Sequence, residues 1–260
     1  MSGGFVLADD GQGRRRGVFP HLAAPGLVHA VTTRDGPDLG DEPSHHPAHA
    51  AAAGALAVAL GLDGAAWAFQ VHGDAVLHAD APGYAGPGDA LWTDRPGLGV
   101  MARSADCPLV LVAGERPDGA GIWGVAHASW RSTVQGITAR LVAELAQAGA
   151  DPSRLRAGIA PSAGPCCYEV GEEVRDRALK DLGPGAAAFF REREGALHFD
   201  LWAANRAQLR EAGLRDGAII TAGLCSLCRN DLFFSYRREG AAAGRYAAVV
   251  GAVRSGQVAG

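Results

Sequence analysis

A chain of 260 residues can bury one good core or divide into two small ones, and length alone does not choose between them. With 48% hydrophobic residues, 20% charged residues and 37 glycines, the composition argues against a disordered or fibrous protein and for a globular one rich in turns. A formal charge of −4 and a pI near 6.1 leave no broad basic surface, which argues against nucleic acid or an anionic membrane as main partner and leaves room only for a local cluster of arginines.

The opening stretch MSGGFVLADDGQGRRRGVF has a basic triplet but no apolar segment of signal-peptide type behind it, and residues 1–17 read as a flexible N-terminal extension. No run anywhere reaches the length of a membrane span, so a soluble, cytoplasmic protein is expected. Alanine, the best intrinsic helix former, dominates residues 47–60 up to Gly61 and predicts a helix. Residues 67–72 (WAFQVH) then read as extended, as do VMAR, PLVLVAG and IWGVAHA between 100 and 128, with the turn signal PDGAG between the last two. After them Val134, Ile137, Leu141 and Leu145 fall at helical spacing, with Ser132 as cap and Gly149 as stop, so GVAHASWRST at 124–133 is a strand running into a helix. The second half continues with LRAGIAPS as a strand, EEVRDRALKDL as a helix closed by Gly183, and DLWAANRAQLREAG as a helix capped by Asp200 and closed by Gly213. AIITAG and RYAAVVGAV follow as strands. With no strict repeat and no long linker, the expectation is an α+β fold of layered mixed β-sheets flanked by helices, a single domain over residues 1–260.

Three of the extended runs end in reactive side chains: His72 in QVHGD, Cys107 in SADCPLVLV and His127 in GVAHASWRST. Two imidazoles and a thiolate match the three protein ligands of a catalytic zinc, which keeps its fourth place open. The plainer reading makes both histidines ordinary strand-end hydrogen bonders and Cys107 a small buried hydrophobe. A Cys–His nucleophilic pair competes for the same sulfur, and Asp106 beside it either orients a histidine or serves as a turn residue before Pro108. Five cysteines at 107, 166, 167, 225 and 228 fit reduced thiols or a metal better than a secreted disulfide framework. CSLC at 225–228 has metal-ligand spacing, but the only other cysteines outside the candidate site are the adjacent Cys166 and Cys167, and neighbours rarely aim at one metal; structural thiols are expected there. Arg34, Arg131 and Arg237, with Arg238 and Arg245, are candidates to bind a phosphate, Arg131 foremost because it opens the helix after His127. Trp130 and Phe234 either stack on a flat base or fill core.

The segments QVHGD, ADCPLVLV, AHASWRST, APSAGPCCYEVG, HFDLWAANRAQL and CSLCRNDLFFSYRREGAAAGR, in this order, resemble the YfiH family, also called the laccase-domain or multicopper polyphenol oxidase family. The resemblance runs from about TTRDG at 32 to the end and implies a cysteine-hydrolase-type α/β fold with zinc on His72, Cys107 and His127. It implies a purine nucleoside enzyme that phosphorolyses adenosine, inosine, guanosine and methylthioadenosine and deaminates adenosine. Older labels for the family imply a copper polyphenol oxidase or a cysteine hydrolase, and bacterial members are linked to editing of peptidoglycan precursors. A nucleoside-binding protein without catalysis is the remaining alternative. The expected partners are a purine nucleoside and phosphate, with no nucleic acid, membrane or obligatory protein partner. Two family glycines are Ser129 and Ser132 here, and PDLGDEPSHH at 37–46 is shorter than the family segment, so nothing is carried over to residues 35–50.

Overall fold

The computed structural model describes residues 4–11, 13–40 and 47–254. Residues 41–46, within the shortened PDLGDEPSHH segment, lie outside that range. In chain order the elements are β1 (Val6–Asp9), β2 (Arg15–Val18), β3 (Leu27–Thr32), α1 (Pro47–Ala59), β4 (Gly64–Phe69), β5 (Val76–His78), β6 (Gly83–Pro87), β7 (Ala90–Thr93), β8 (Leu98–Ser104), β9 (Leu109–Glu115) and β10 (Gly121–His127). They continue with α2 (Trp130–Val134), α3 (Ile137–Gln147), β11 (Arg156–Ile159), α4 (Glu172–Leu182), β12 (Phe190–Arg193), β13 (Ala196–Phe199), α5 (Leu201–Glu211), β14 (Ile219–Thr221), α6 (Tyr236–Glu239) and β15 (Tyr246–Ala252).

Two mixed sheets carry the architecture, with strand orders β1-β2-β3-β15-β8-β4-β6 and β14-β11-β9-β10-β7-β5, and β12-β13 forms a separate hairpin. The period-2 alternation of strand side chains sorts residues between the two faces of each sheet. Leu98, Val100 and Ala102 of β8 and Tyr246, Ala248 and Val250 of β15 point inward to meet Leu109, Leu111 and Ala113 of β9 and Trp123 and Val125 of β10. On the outer face of the first sheet Met101 and Val249 pack under Ala53 and Ala57 of α1. On the outer face of the second, Val110, Val112 and Ile122 pack under Ile137, Leu141 and Leu145 of α3 and Leu209 of α5. Helices thus flank a double sheet as the layered reading expects. Gly124 on β10 lets α3 come close, since a Cβ there would lie 2.8 Å from a Leu141 methyl. No helix of the described residues is long and apolar enough to cross a membrane.

Two local readings change. The helix expected after His127 is two helices, because Gly136 takes a left-handed φ of 82° between α2 and α3, and Ser129 rather than Ser132 is the cap, its hydroxyl accepting from the Ser132 N–H. The stretch expected as an N-terminal extension contains β1 and β2, which pair with each other and join the first sheet through Arg16 and Gly17 against β3. Phe5 anchors it on Phe19, their ring centroids 5.0 Å apart. An edge hairpin held by backbone pairing with β3, the Arg15–Asp35 ion pair and only Phe5 and Leu7 against the core has little apolar periodicity to betray it in sequence.

His29 on β3 is largely buried, and its Nε2 accepts the Phe19 N–H at 2.8 Å. Burial first, and then the neighbouring His21, push its pKa down to about 4. A protonated ring cannot accept that bond, so the native state prefers the neutral form. The sign follows: His29 contributes full stability above the unfolded value near 6.5, and that contribution is lost as the pH falls toward about 4, costing at most about 3 kcal/mol. Urea unfolding of the protein and of His29→Gln between pH 7 and 4 is expected to show a shallower acid loss in the variant; parallel curves would refute the assignment.

Candidate functional site

The site lies on one rim of the double sheet, where the chain repeatedly changes sheets. His72 sits between β4 of the first sheet and β5 of the second, Asp89 between β6 and β7, and Cys107 between β8 and β9, while β10 ends at His127 opposite Leu109. Crossovers need backbone conformations that strands do not use, and His72 (φ 59°) and Asp106 (φ 98°) are two of the few non-glycine residues with positive φ. Such strain persists where the surroundings fix it.

Asp89 does much of that fixing. Its carboxylate accepts the backbone N–H groups of Val71 (3.1 Å), His72 (3.0 Å) and Gly73 (2.7 Å), and its Oδ1 lies 2.8 Å from Nδ1 of His127. Burial would raise its pKa, but the bond and charge of His127 and the N–H groups outweigh it and keep the carboxylate ionised. The His127 N–H also donates to the Asp89 carbonyl at 2.7 Å. Holding Nδ1 leaves Nε2 of the buried His127 for the rest of the site. The His72 and His127 rings meet edge-on at 5.1 Å, and the donor atoms of His72, Cys107 and His127 all lie within 4.8 Å of one another. Burial pushes the Cys107 thiol up, yet His127 and His72 overcome it and bring it down to about 6. Burial likewise lowers His127, but Cys107 and Asp89 outweigh it and raise it to about 9. Each group thus favours the charged form of the other.

This donor set fits zinc. Two imidazoles and a thiolate converge, and a carboxylate fixes the outer nitrogen of one ring, as is usual for metal-binding histidine. It fits a multicopper centre poorly: only two histidines line the pocket, and Met101, the one methionine among the described residues, is buried under α1 and cannot serve as an axial copper ligand.

The pocket has a volume of about 350 Å³, within the range for small-molecule sites. Arg131 lies on its wall, stacked over Trp130 at 4.4 Å, and has no acidic partner among the described residues. Arg237 also lines it, lying over Tyr168 at 4.9 Å and donating to the Glu169 carbonyl, with Arg103 and Arg245 beside them. Burial holds the Tyr168 phenol protonated. Asp106 is spent on scaffolding: its two oxygens accept from the Ser226 hydroxyl (2.6 Å) and the Arg237 N–H (2.7 Å). A larger cleft of about 620 Å³, lined by Arg154, Arg156 and Arg215, offers no thiol, and the guanidiniums of Arg156 and Arg215 are engaged by carbonyls.

The structure therefore brings together His72, Cys107, His127, Arg131 and Arg237 and leaves Arg34 out. Arg34 is paired with both oxygens of Glu239 at 2.7 and 2.8 Å and stacks on Phe234, so its charge is neutralised and it steadies α6. A helix N-terminus does not provide the anion site either, since α2 is one turn long and its Ser132 N–H is consumed by Ser129, whose hydroxyl also meets that of Ser132 at 2.7 Å. The two serines satisfy each other where glycines were expected. Asp89, Arg103 and Tyr168 were not legible beforehand, because a lone Asp after Pro-Gly or a Tyr after two cysteines carries no spacing signal.

The family described as multi-copper polyphenol oxidoreductase laccase matches residues 35–253. A purine nucleoside phosphorylase of Deinococcus radiodurans is 42% identical over 250 residues, 91% of this chain and 94% of that protein. A protein named adenosine deaminase RL5, from an unknown prokaryotic organism, is 39% identical over 159 residues, 60% of this chain and 59% of its own. The crystal structure of YlmD from Geobacillus stearothermophilus superposes with a TM-score of 0.80 at 27% identity, covering 96% of this chain and 99% of YlmD.

Replacing Asp89 with Asn keeps the shape but turns an amide N–H toward backbone donors. The expected result is a fall in unfolding free energy of about 2–3 kcal/mol in urea and loss of the downfield Nδ1–H proton resonance of His127. An unchanged resonance would show that the carboxylate does not hold the ring.

Proposed function

The chain belongs to the multi-copper polyphenol oxidoreductase laccase family, and from that premise and the chemistry of the pocket we propose that it is a zinc-dependent purine nucleoside phosphorylase. Adenosine, inosine, guanosine and methylthioadenosine are the proposed substrates, with deamination of adenosine as a second reaction of the same pocket. The observation that carries this reading is the Arg131 guanidinium, uncommitted to any carboxylate among the described residues, on the wall that holds His72, Cys107 and His127. An anion site beside three convergent metal donors suits an inorganic phosphate and a nucleoside side by side.

In the proposed reaction a phosphate oxygen attacks C1′ of the ribose and the C1′–N9 bond breaks. The base leaves with the electron pair and takes a proton, and ribose 1-phosphate remains. Arg131 and Arg237 bind and orient the phosphate, a task for which the planar guanidinium fork is well shaped. Tyr168, held protonated, donates a hydrogen bond toward the departing base, where negative charge develops. Tyr236 on the pocket wall, 52% exposed, offers a face on which a purine can stack. His72, Cys107 and His127 would hold the zinc, which supplies a Lewis acid with one open coordination place. Asp89 keeps His127 turned toward it.

The Cys107–His127–Asp89 arrangement supports a second reading, a cysteine hydrolase in which Cys107 is the nucleophile, His127 the base and Asp89 the group that orients it. Alkylation of Cys107 would then abolish activity in metal-free protein. A cytoplasmic location accompanies the first reading, where phosphate and nucleosides are at hand.

Zinc-replete protein incubated with adenosine is expected to yield adenine only when phosphate is present, and inosine without it. Arg131→Ala is expected to raise the KM for phosphate by about tenfold or more, the loss of one charge-assisted contact, while inosine formation stays unchanged. His127→Ala is expected to lose both products. Adenine release that ignores phosphate, or an Arg131→Ala variant that loses both reactions equally, would overturn the assignment of this arginine to phosphate.

A further inference from the structure

The four cysteines expected to be separate structural thiols are not separate. Cys166 and Cys167 lie in the loop after β11, and Cys225 and Cys228 in the loop after β14. The donor sulfurs of all four fall within 4.8 Å of one another. Cys228 Sγ is 3.7 Å from Cys166 Sγ and 3.4 Å from Cys167 Sγ. Sulfurs around a tetrahedral zinc at about 2.3 Å are about 3.8 Å apart, so the cluster already has nearly the span a single ion would give it.

Adjacency in sequence proves to be no obstacle, because neighbouring side chains diverge by 180° only in a strand. Here Cys167 and Tyr168 both return N–H bonds of 2.9 Å to the Gly164 carbonyl, a helical turn in which successive side chains diverge by about 100°, close to the tetrahedral angle. Adjacent cysteines can therefore reach two corners of one tetrahedron.

A second observation points to a thiolate ligand. Cys225 Sγ accepts the Gly164 N–H at 3.3 Å. A neutral thiol is a weak acceptor, and an amide donor on a buried sulfur suits a charged one. Arg193 donates to the Cys166 carbonyl at 3.3 Å and Arg238 to the Leu227 carbonyl at 3.0 Å, so two positive charges flank what would be a dianionic centre.

We propose that Cys166, Cys167, Cys225 and Cys228 form a second, structural metal site that binds one Zn²⁺ through four thiolates. Binding deprotonates the four thiols, with no change in oxidation state, and leaves no open place for substrate. Its role is to clip two loops together. Ser162 bridges to Cys225, with Ser226 N–H donating to the Ser162 carbonyl at 3.0 Å, and the clipped loops deliver Tyr168 to the pocket wall and the Ser226 hydroxyl to Asp106. The site is independent of the nucleoside reading.

The test separates the two sites. A His72→Ala/His127→Ala variant, purified under reducing conditions with zinc, removes the pocket ligands. It is expected to retain one zinc per chain by elemental analysis, and after exchange with Co²⁺ to show the intense sulfur-to-cobalt charge transfer of a four-thiolate centre. Adding Cys228→Ser is expected to remove that metal and lower the thermal midpoint, whereas Cys228→Ser alone keeps the pocket's metal. Cobalt spectra of the double histidine variant remain decisive even if Cys228→Ser does not fold. Metal-free double variant whose four thiols all alkylate rapidly, or cysteines recovered as disulfides in the presence of zinc, would overturn the proposal.

Discussion

One buried carboxylate organises this rim. Asp89 is ionised in an almost dry position, which is tolerable only because three backbone amides and an imidazole converge on it. The three amides come from the β4–β5 crossover and the imidazole from the end of β10, so a side chain on the β6–β7 connection ties three segments into one surface. Without such a centre, the turn at His72 would have no reason to keep a left-handed backbone, and the ring of His127 no reason to present one nitrogen rather than the other. The double sheet beneath supplies the rigid ends from which the crossovers start, and Gln70 prolongs the β4–β8 pairing past the strand by bonding both the N–H and the carbonyl of Arg103.

Electrostatics follow from the same arrangement. The protein is acidic overall, yet four guanidiniums line one pocket, and among the described residues Arg131 rests on the Trp130 ring and Arg237 on the Tyr168 ring and the Glu169 carbonyl, neither paired with a carboxylate. Carbonyls hold a guanidinium in place without cancelling its charge. Arg34 shows the contrast, because Glu239 takes both its direction and its charge. Guanidiniums held by ring faces and carbonyls keep their charge available to a small anion in the pocket.

Much of the fold was legible because the strands are apolar runs of unmistakable length and α1 and α5 carry alanine or an Asp cap. His72, Cys107 and His127 were legible as reactive side chains after such runs, and they do meet. What escaped was set by backbone conformation or by partners distant in sequence. The break at Gly136 depends on one left-handed residue, the role of Asp89 on amides 16 to 18 residues away, and the meeting of Cys166 and Cys167 with Cys225 and Cys228 on a turn that periodicity does not detect. The β1–β2 hairpin hid for the opposite reason, having too little buried surface to leave a pattern.

The position of β15 bears on how the chain is made. It is the last strand of the described residues, yet it lies between β3 and β8 near the middle of the first sheet, pairing with residues some 150 to 220 positions earlier. During synthesis the facing edges of β3 and β8 have no partner until Tyr246–Ala252 leaves the ribosome, and the inner layer of Tyr246, Ala248 and Val250 is missing from the core for as long. Unpaired apolar edges are the usual route to intermolecular strand pairing. Closing the gap between β3 and β8 is therefore a late event in folding, and the sheet is complete only once Tyr246–Ala252 is available.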